Sequence, residues 1–357
     1  MPINALIFGV GGPTILGLAK SLRLATERSQ LRLIGVDGDP FAPGLYNRSL
    51  FDATCLNGFV RDGNYWEIVE TIIDRESIDV AFVVPEPEVL AWSERQAVGG
   101  LPCKALVPDW VVAKSMYDKM ACNLILQETG LVPETLRVDR ESSPAAIAGH
   151  LGYPYWVRKA EGAGALGAFK IECQQDLVNW MAMNPGLDAL MASEFLPGRN
   201  YACKVLYANG KLLRAACGER ISYLLASTAP SGISGMCARG RLINHTSLIE
   251  RADQAVGAVF KHHERVPHGM FTVDFKEDGK GTPKLTEINI RPVSFTYAFA
   301  LGGANFAHDI LQLLIQGELS EPNYKEYRFE DEPHFIRGVD SEIMLVHDND
   351  LVRKFSR

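Results

Sequence analysis

The chain is 357 residues long, 47% hydrophobic and 22% charged, which is room for two or three ordinary globular domains with sizeable cores. A formal net charge of −7 argues against a general binder of nucleic acid or anionic membrane, and no stretch approaches the length of a membrane span. Seven cysteines (Cys55, Cys103, Cys122, Cys173, Cys203, Cys217 and Cys237) include no CxxC pair, so reduced thiols in a cytoplasmic protein are expected rather than a disulfide framework or a zinc site.

The first apolar run, 3–10, has no basic residue before it and runs into Gly11-Gly12-Pro13, which reads as a buried β-strand rather than a secretion signal. An amphipathic segment over 14–27 follows. Next come a strand at 31–37, a helix near 64–75, a strand at 79–84, a helix around 86–97 and a short strand near 104–107. Strands alternating with helices predict a parallel, doubly wound α/β domain over 1–108. The turn Gly9-Val10-Gly11-Gly12, with Asp37 ending the second strand, invites a dinucleotide reading. Thr14 stands where the third fingerprint glycine belongs, so this signal is weak; a small-substrate role for the loop, with Gly11 and Gly12, and no role at all are the other readings, level with each other.

Two helical segments are expected over 110–130, the second opened by Asp118-Lys119; taken alone, Lys119 is more often than not a solvated helix lysine. After a short helix at 144–151, a strand carrying Arg158 and Lys159 runs into the glycine-rich stretch 162–167, and a second strand follows. Small residues let backbone N–H groups close around phosphate oxygens, while a plain hairpin with a supple turn is the bland alternative. No Gly-Lys-Ser/Thr opens a helix afterwards, so this is not a P-loop. The segment 189–196 reads as a strand ending at Pro197-Gly198, and 201–206 pairs through Asn209-Gly210 with 211–217. Residues 218–246 read as a long irregular loop whose Arg220, Arg239 and Arg241 are either substrate contacts or solvated. A helix over 247–264 ends in His262-His263, which do not share a face and make a poor metal pair. A helix over 303–316 contains His308, most simply a packing or capping residue.

The most informative stretch is 269–292. Two β-prone runs, 270–276 and 284–290, flank a polar turn and predict a hairpin. Glu287 and Asn289 share one strand face, and Asp274 on the partner strand can reach the same patch. Two carboxylates and an amide oxygen suit Mg²⁺ held together with phosphate oxygens, and Arg291 adds a fixed positive fork. Polar alternation on any half-exposed strand is the alternative.

Taken together, Asp-Lys before a helix, a cationic strand into a glycine flap, Ser193-Glu194-Phe195-Leu196-Pro197-Gly198, and Asp274 followed by Glu287-Ile-Asn-Ile-Arg-Pro292 resemble the ATP-grasp ligases over about residues 1–316. The carbamoyl-phosphate-synthetase-like and carboxylate–amine ligase branch is the most similar. The resemblance implies a pre-ATP-grasp domain over 1–108 and a two-subdomain α+β grasp fold. Its central part would span 109–188 and its metal-bearing part 189–318, with 319–357 a tail of unassigned role. It further implies ATP and Mg²⁺ (or Mn²⁺), with Asp274, Glu287 and Asn289 as metal ligands. Lys119, Arg158 and Arg291 would lie on the phosphates, and Glu161, Gly162, Ala163, Gly164 and Gly167 in the flap. Glu194, Phe195 and Leu196 would form the adenine hinge, and Asn200 would face the ribose.

Three positions depart from the family pattern: Asn200 stands for the usual glutamate, Ala163 for a frequent serine and Ile290 for a common proline. An amide holds a ribose hydroxyl less strongly than a carboxylate does. The implied reaction joins a small carboxylate to an amine through an acyl phosphate, releasing ADP and phosphate, in a cytoplasmic enzyme with small-molecule partners, no nucleic acid or membrane, and a homodimer left open. Gly11, Gly12, Arg220, Arg239 and Arg241 are candidate substrate contacts. A non-catalytic ATP-binding module and a nicotinamide-dependent oxidoreductase using the first glycine turn are the alternatives.

Overall fold

The computed structural model describes residues 2–160, 167–186, 190–339 and 344–347. The first five strands are β1 (Ile3–Phe8), β2 (Leu31–Asp37), β3 (Ala53–Leu56), β4 (Val80–Phe82) and β5 (Lys104–Ala105). They form one parallel sheet in the order β3-β2-β1-β4-β5, with α1 (Pro13–Ala25), α2 (Tyr65–Glu76) and α3 (Glu86–Val98) as connections. β1 and β2 are nearly continuous apolar runs, as a strand covered on both faces must be. The edge strand β3 escapes sequence patterning, because its four residues are only partly buried.

Helices α4 (Trp110–Tyr117) and α5 (Lys119–Leu126) follow. Asp109 and Asp118 cap them: the Asp109 carboxylate accepts from Val111 N, and that of Asp118 from Met120 N and Ala121 N. A four-stranded antiparallel sheet comes next, in the order β6-β9-β7-β8, from β6 (Thr135–Val138), β7 (Tyr155–Lys159), β8 (Phe169–Ile171) and β9 (Leu190–Glu194). Helices α6 (Pro144–Leu151) and α7 (Gln174–Met183) cover it, and it keeps its own small core around Tyr155, Ile171, Leu177 and Trp180. β9 thus pairs with β6 and β7 rather than with the strands that follow it, so the break drawn after residue 188 cuts this sheet.

The largest sheet holds β10 (Asn200–Ala208), β11 (Lys211–Tyr223), β12 (Cys237–Ile243), β13 (Gly269–Glu277) and β14 (Pro283–Asn289). Its order is β14-β13-β10-β11-β12, with α8 (Thr246–His262), α9 (Thr296–Leu301) and α10 (Phe306–Gln316) among its connections. The tail extends it: β16 (His334–Ile336) pairs with β12, β17 (Met344–Val346) with β16, and β15 (Lys325–Glu326) with β11. The β-like run read at 342–347 corresponds in its described part to β17. The irregular loop expected over 218–246 is corrected: β11 runs on to Tyr223 and β12 starts at Cys237, leaving 224–236 between them. Two register shifts in the β11–β12 pairing and two outward arginines break the alternation that would have shown these strands. Among the described residues, no helix is long and apolar enough to cross a membrane.

Candidate active site

The β13–β14 hairpin sets the centre. Asp274 pairs directly with Glu287, and Thr272 with Asn289, so Asp274, Glu287 and Asn289 rise from one face; a bulge follows between Asp274 and Phe275. Asp274 and Asn289 are 6% and 8% exposed, and Asn289 Nδ2 donates to Asp274 Oδ2 at 3.3 Å. Burial raises the Asp274 carboxyl above the usual carboxylate range, against the pull of Arg220, whose Nη2 donates to Asp274 Oδ1 at 2.7 Å. Burial also works to raise Glu287, yet Lys119 and then Arg158 and Arg220 hold it well below the usual range. The two facing carboxyls are therefore pushed in opposite directions, Asp274 up and Glu287 down.

The cations come from three other elements. Lys119 opens α5, where the Asp118 cap fixes the helix start and Lys119 N donates to Ala160 O at 2.9 Å. Its Nζ lies 3.5 Å from Glu287 Oε2, and Arg158 Nη1 from β7 lies 3.9 Å from the same oxygen. Arg158 also donates to Thr286 O, tying the smaller sheet to β14. Arg291, just past β14, has its Nε 3.5 Å from Glu86 Oε1, which joins the hairpin to the start of α3.

These groups line one cavity of about 480 Å³. Its walls include Trp156, Ser193, Glu194, Phe195 and Leu196 from β7, β9 and the segment after it. Phe195 lies against Trp156 with ring centroids 6.5 Å apart, and Lys170 Nζ sits 4.9 Å from the Phe195 centroid. Asn200 lines the cavity with its amide engaged: Nδ2 donates to Tyr223 Oη at 2.9 Å and Oδ1 accepts from Arg220 Nη1 at 3.1 Å. Pro13 and Thr14 and the residues 293–295 also line it.

Other candidates lie elsewhere. Gly11 and Gly12 precede the lining residues Pro13 and Thr14 without lining the cavity themselves. Gly11 N donates to Asp37 Oδ2 at 2.8 Å and Asp39 N to Asp37 Oδ1 at 3.0 Å, so the carboxylate on which the dinucleotide reading rests is engaged by backbone of its own and the neighbouring loop. Of the three arginines between 218 and 246, only Arg220 lines the cavity. Arg239 is exposed on β12, and Arg241 Nε donates to Glu332 O at 2.8 Å, because strand alternation turns both away from the face that carries Arg220. Glu161, Gly162, Ala163 and Gly164 lie outside the described residues; Gly167, at φ +68°, turns the chain into β8. Sequence reasoning passed over Tyr223, Lys276 and Met236 as lining residues. Lys276 had a signal, two positions along β13 from Asp274; Tyr223 and Met236 had none until β11 and β12 were paired.

No protein-family model and no curated protein matches the sequence. Solved structures do match in fold. L-amino acid ligase from Bacillus licheniformis aligns over 94% of this chain and 79% of its own, at 16% identity and a TM-score of 0.68. N5-carboxyaminoimidazole synthase from Aspergillus clavatus, solved with ADP and 5-aminoimidazole ribonucleotide, aligns over 94% and 82% at 17% identity and 0.67. Biotin carboxylase from Campylobacter jejuni, as a β-γ-ATP complex, aligns over 94% and 75% at 16% identity and 0.66. The chain therefore has the fold of the ATP-grasp ligases.

Proposed function

We propose that this protein is an ATP- and Mg²⁺-dependent carboxylate–amine ligase that forms an amide through an acyl phosphate and releases ADP and phosphate. The observation that carries the reading is the convergence of Asp274, Glu287, Asn289, Lys119, Arg158 and Arg291 on one cavity bordered by Glu194–Leu196. ATP-grasp neighbours solved with ADP or ATP support nucleotide use.

A divalent cation fits the residues present. Two carboxyls on directly paired strand positions, with the Asn289 amide beside them, form an oxygen set of the kind a divalent cation takes. Asp274, Glu287 and the Asn289 amide oxygen would hold it. When bound, the metal neutralises phosphate oxygens. Arg158, which lines the same cavity, has a buried Nε with no hydrogen-bond partner among the described residues.

In the first step, a substrate carboxylate oxygen bonds to the γ-phosphorus as the bond to the β,γ-bridging oxygen breaks and ADP leaves. Two anions must approach, so charge neutralisation dominates. Lys119 and Arg158 face the nucleotide phosphates, and Arg291 faces the transferred group. In the second step the amine nitrogen attacks the acyl carbon, phosphate departs with the C–O electron pair, and the nitrogen loses its proton. The hinge Glu194–Leu196 would present backbone groups to the adenine edge, with Trp156 and Phe195 beside it, and Asn200 and Tyr223 would meet the ribose. Tyr223, Ile233, Met236, Val293 and Phe295 give the cavity an apolar wall that suits an acid with an apolar body.

A hydroxylamine trap tests this. The protein is incubated with ATP, Mg²⁺, hydroxylamine and pooled small carboxylic and amino acids, and hydroxamates are read by mass spectrometry. A hydroxamate with stoichiometric ADP is the expected result and names the acid. ATP binding with neither product from any pool would favour a non-catalytic nucleotide-binding module, and no ATP binding at all would overturn the proposal.

A further inference from the structure

Lys204 lies mid-strand in β10 with no solvent exposure. It pairs with Thr272, which pairs with Asn289, so Lys204 rises from the sheet face that carries the candidate metal ligands. A lysine this deep is costly unless its charge is met. Its Nζ donates to Thr296 Oγ1 at 2.6 Å. Otherwise the ammonium lies over Phe299, Phe295 and Phe306, 4.9, 5.9 and 6.0 Å from the ring centroids, and no carboxylate forms an ion pair with it among the described residues. Burial, reinforced by Arg220 and opposed by Asp274, pulls the amine down to about 7.

The hydrogen bond from Lys204 continues through Thr296, whose Oγ1 donates to Val293 O at 2.7 Å and whose N donates to the same oxygen at 3.0 Å. Val293, Ser294 and Phe295 line the cavity just after Arg291. One hydroxyl therefore links a buried cation to the turn that walls the cleft. A methionine would fill the phenylalanine cage without the desolvation cost, so stability alone does not account for a lysine here.

We propose that Lys204 is a positioning residue that fixes the Arg291–Phe295 turn against the sheet through Thr296, at a net cost in stability. Its effect on turnover rests on the ligase reading; its effect on the turn does not. The test compares Lys204→Met, Thr296→Val and the double variant by thermal melting and by amide hydrogen exchange. Lys204→Met is expected to melt at the same temperature or higher. The Thr296 and Ala298 amides, bonded to the Val293 and Phe295 carbonyls, are expected to exchange at least tenfold faster, while β13 amides are unchanged. Thr296→Val should reproduce this, and the double variant should exchange no faster than either single one. With an acid found by the hydroxylamine trap, kcat should fall at least tenfold while the KM for ATP holds. Unchanged exchange at Thr296 and Ala298 overturns the proposal, as does a Lys204→Met melting point lower by several degrees. A Lys204→Met variant that does not fold overturns the net cost in stability, and Thr296→Val then tests the positioning role alone, unchanged exchange counting against it. No turnover by the wild type counts against the ligase reading and leaves the exchange result standing.

Discussion

Asp274 and Glu287 face each other across one rung of a hairpin, where burial raises Asp274 while Lys119, Arg158 and Arg220 hold Glu287 low. Glu287→Gln keeps the shape and removes the charge that Lys119 and Arg158 meet. Turnover should fall by at least ~10³-fold, on the scale of losing one strong electrostatic contact to a transition state. Folding should survive, because the side chain opens onto the cavity; hydroxamate yield together with circular dichroism checks both, and near-normal yield would sink the metal assignment. Lys204 supplies a pH prediction. Its buried amine binds a proton less readily in the folded chain than in the unfolded one, so the unfolded state holds more protons between about 7 and 10.5. Stability from this group is lowest below about pH 7 and rises as pH climbs through that window, by on the order of a few kcal/mol at most. Denaturant melts of the wild type and Lys204→Met from pH 6.5 to 10 should diverge at low pH and converge at high pH; parallel curves would contradict this.

At the scale of elements, α5 shows how a cap places a functional side chain. Asp118 accepts from two orphan N–H groups and so sets where Lys119 stands relative to Glu287. Asp118→Ala should cost about 1 kcal/mol of stability. It should also weaken ATP binding severalfold, measured by calorimetry; a melting shift with unchanged affinity would separate the cap from the site. The long, strongly patterned elements were legible before the structure: β1, β2, α1, α3 and the β13–β14 hairpin lie where periodicity and turn residues put them. The omissions β3, β6 and α7 share a cause. β3 and β6 are four-residue strands with little inward apolar content, and α7 buries only Leu177 and Trp180. Partners supplied by the rest of the fold, not local preference, make such segments regular.

For the whole molecule, the tail is part of the site's support. Phe335 of β16 stacks on Phe295, centroids 5.1 Å apart and planes at 11°, and Phe295 lines the cavity. This contact depends on Gly240, where a Cβ would stand 2.3 Å from Phe335 Cζ and 2.4 Å from Glu219 O. Gly240→Val should therefore cost at least ~2 kcal/mol by overpacking. It should loosen the β12–β16 pairing, seen as faster exchange across 334–336; a well-folded variant with unchanged exchange would show that the tail is not anchored there.

The sequence by itself determined the order of the elements and the short-range chemistry. Two strand positions apart puts Glu287 and Asn289 on one face, and an aspartate before a helix caps it, whatever the rest of the chain does. Motif order also carried Lys119, Arg158, Glu194 and Asp274 as members of one set, although they stand up to 155 residues apart. Only the tertiary structure decided which distant groups meet. Strand pairing between β10 and β11 brought Arg220 to Asp274 and Tyr223 to Asn200, while alternation along β12 turned Arg239 and Arg241 away. Pairing of β10 with both β11 and β13 buried Lys204 beneath the site, and pairing of β16 with β12 laid the tail against it. Local periodicity fixes which side of a strand a residue occupies; what waits on that side is set by register and packing with partners far along the chain.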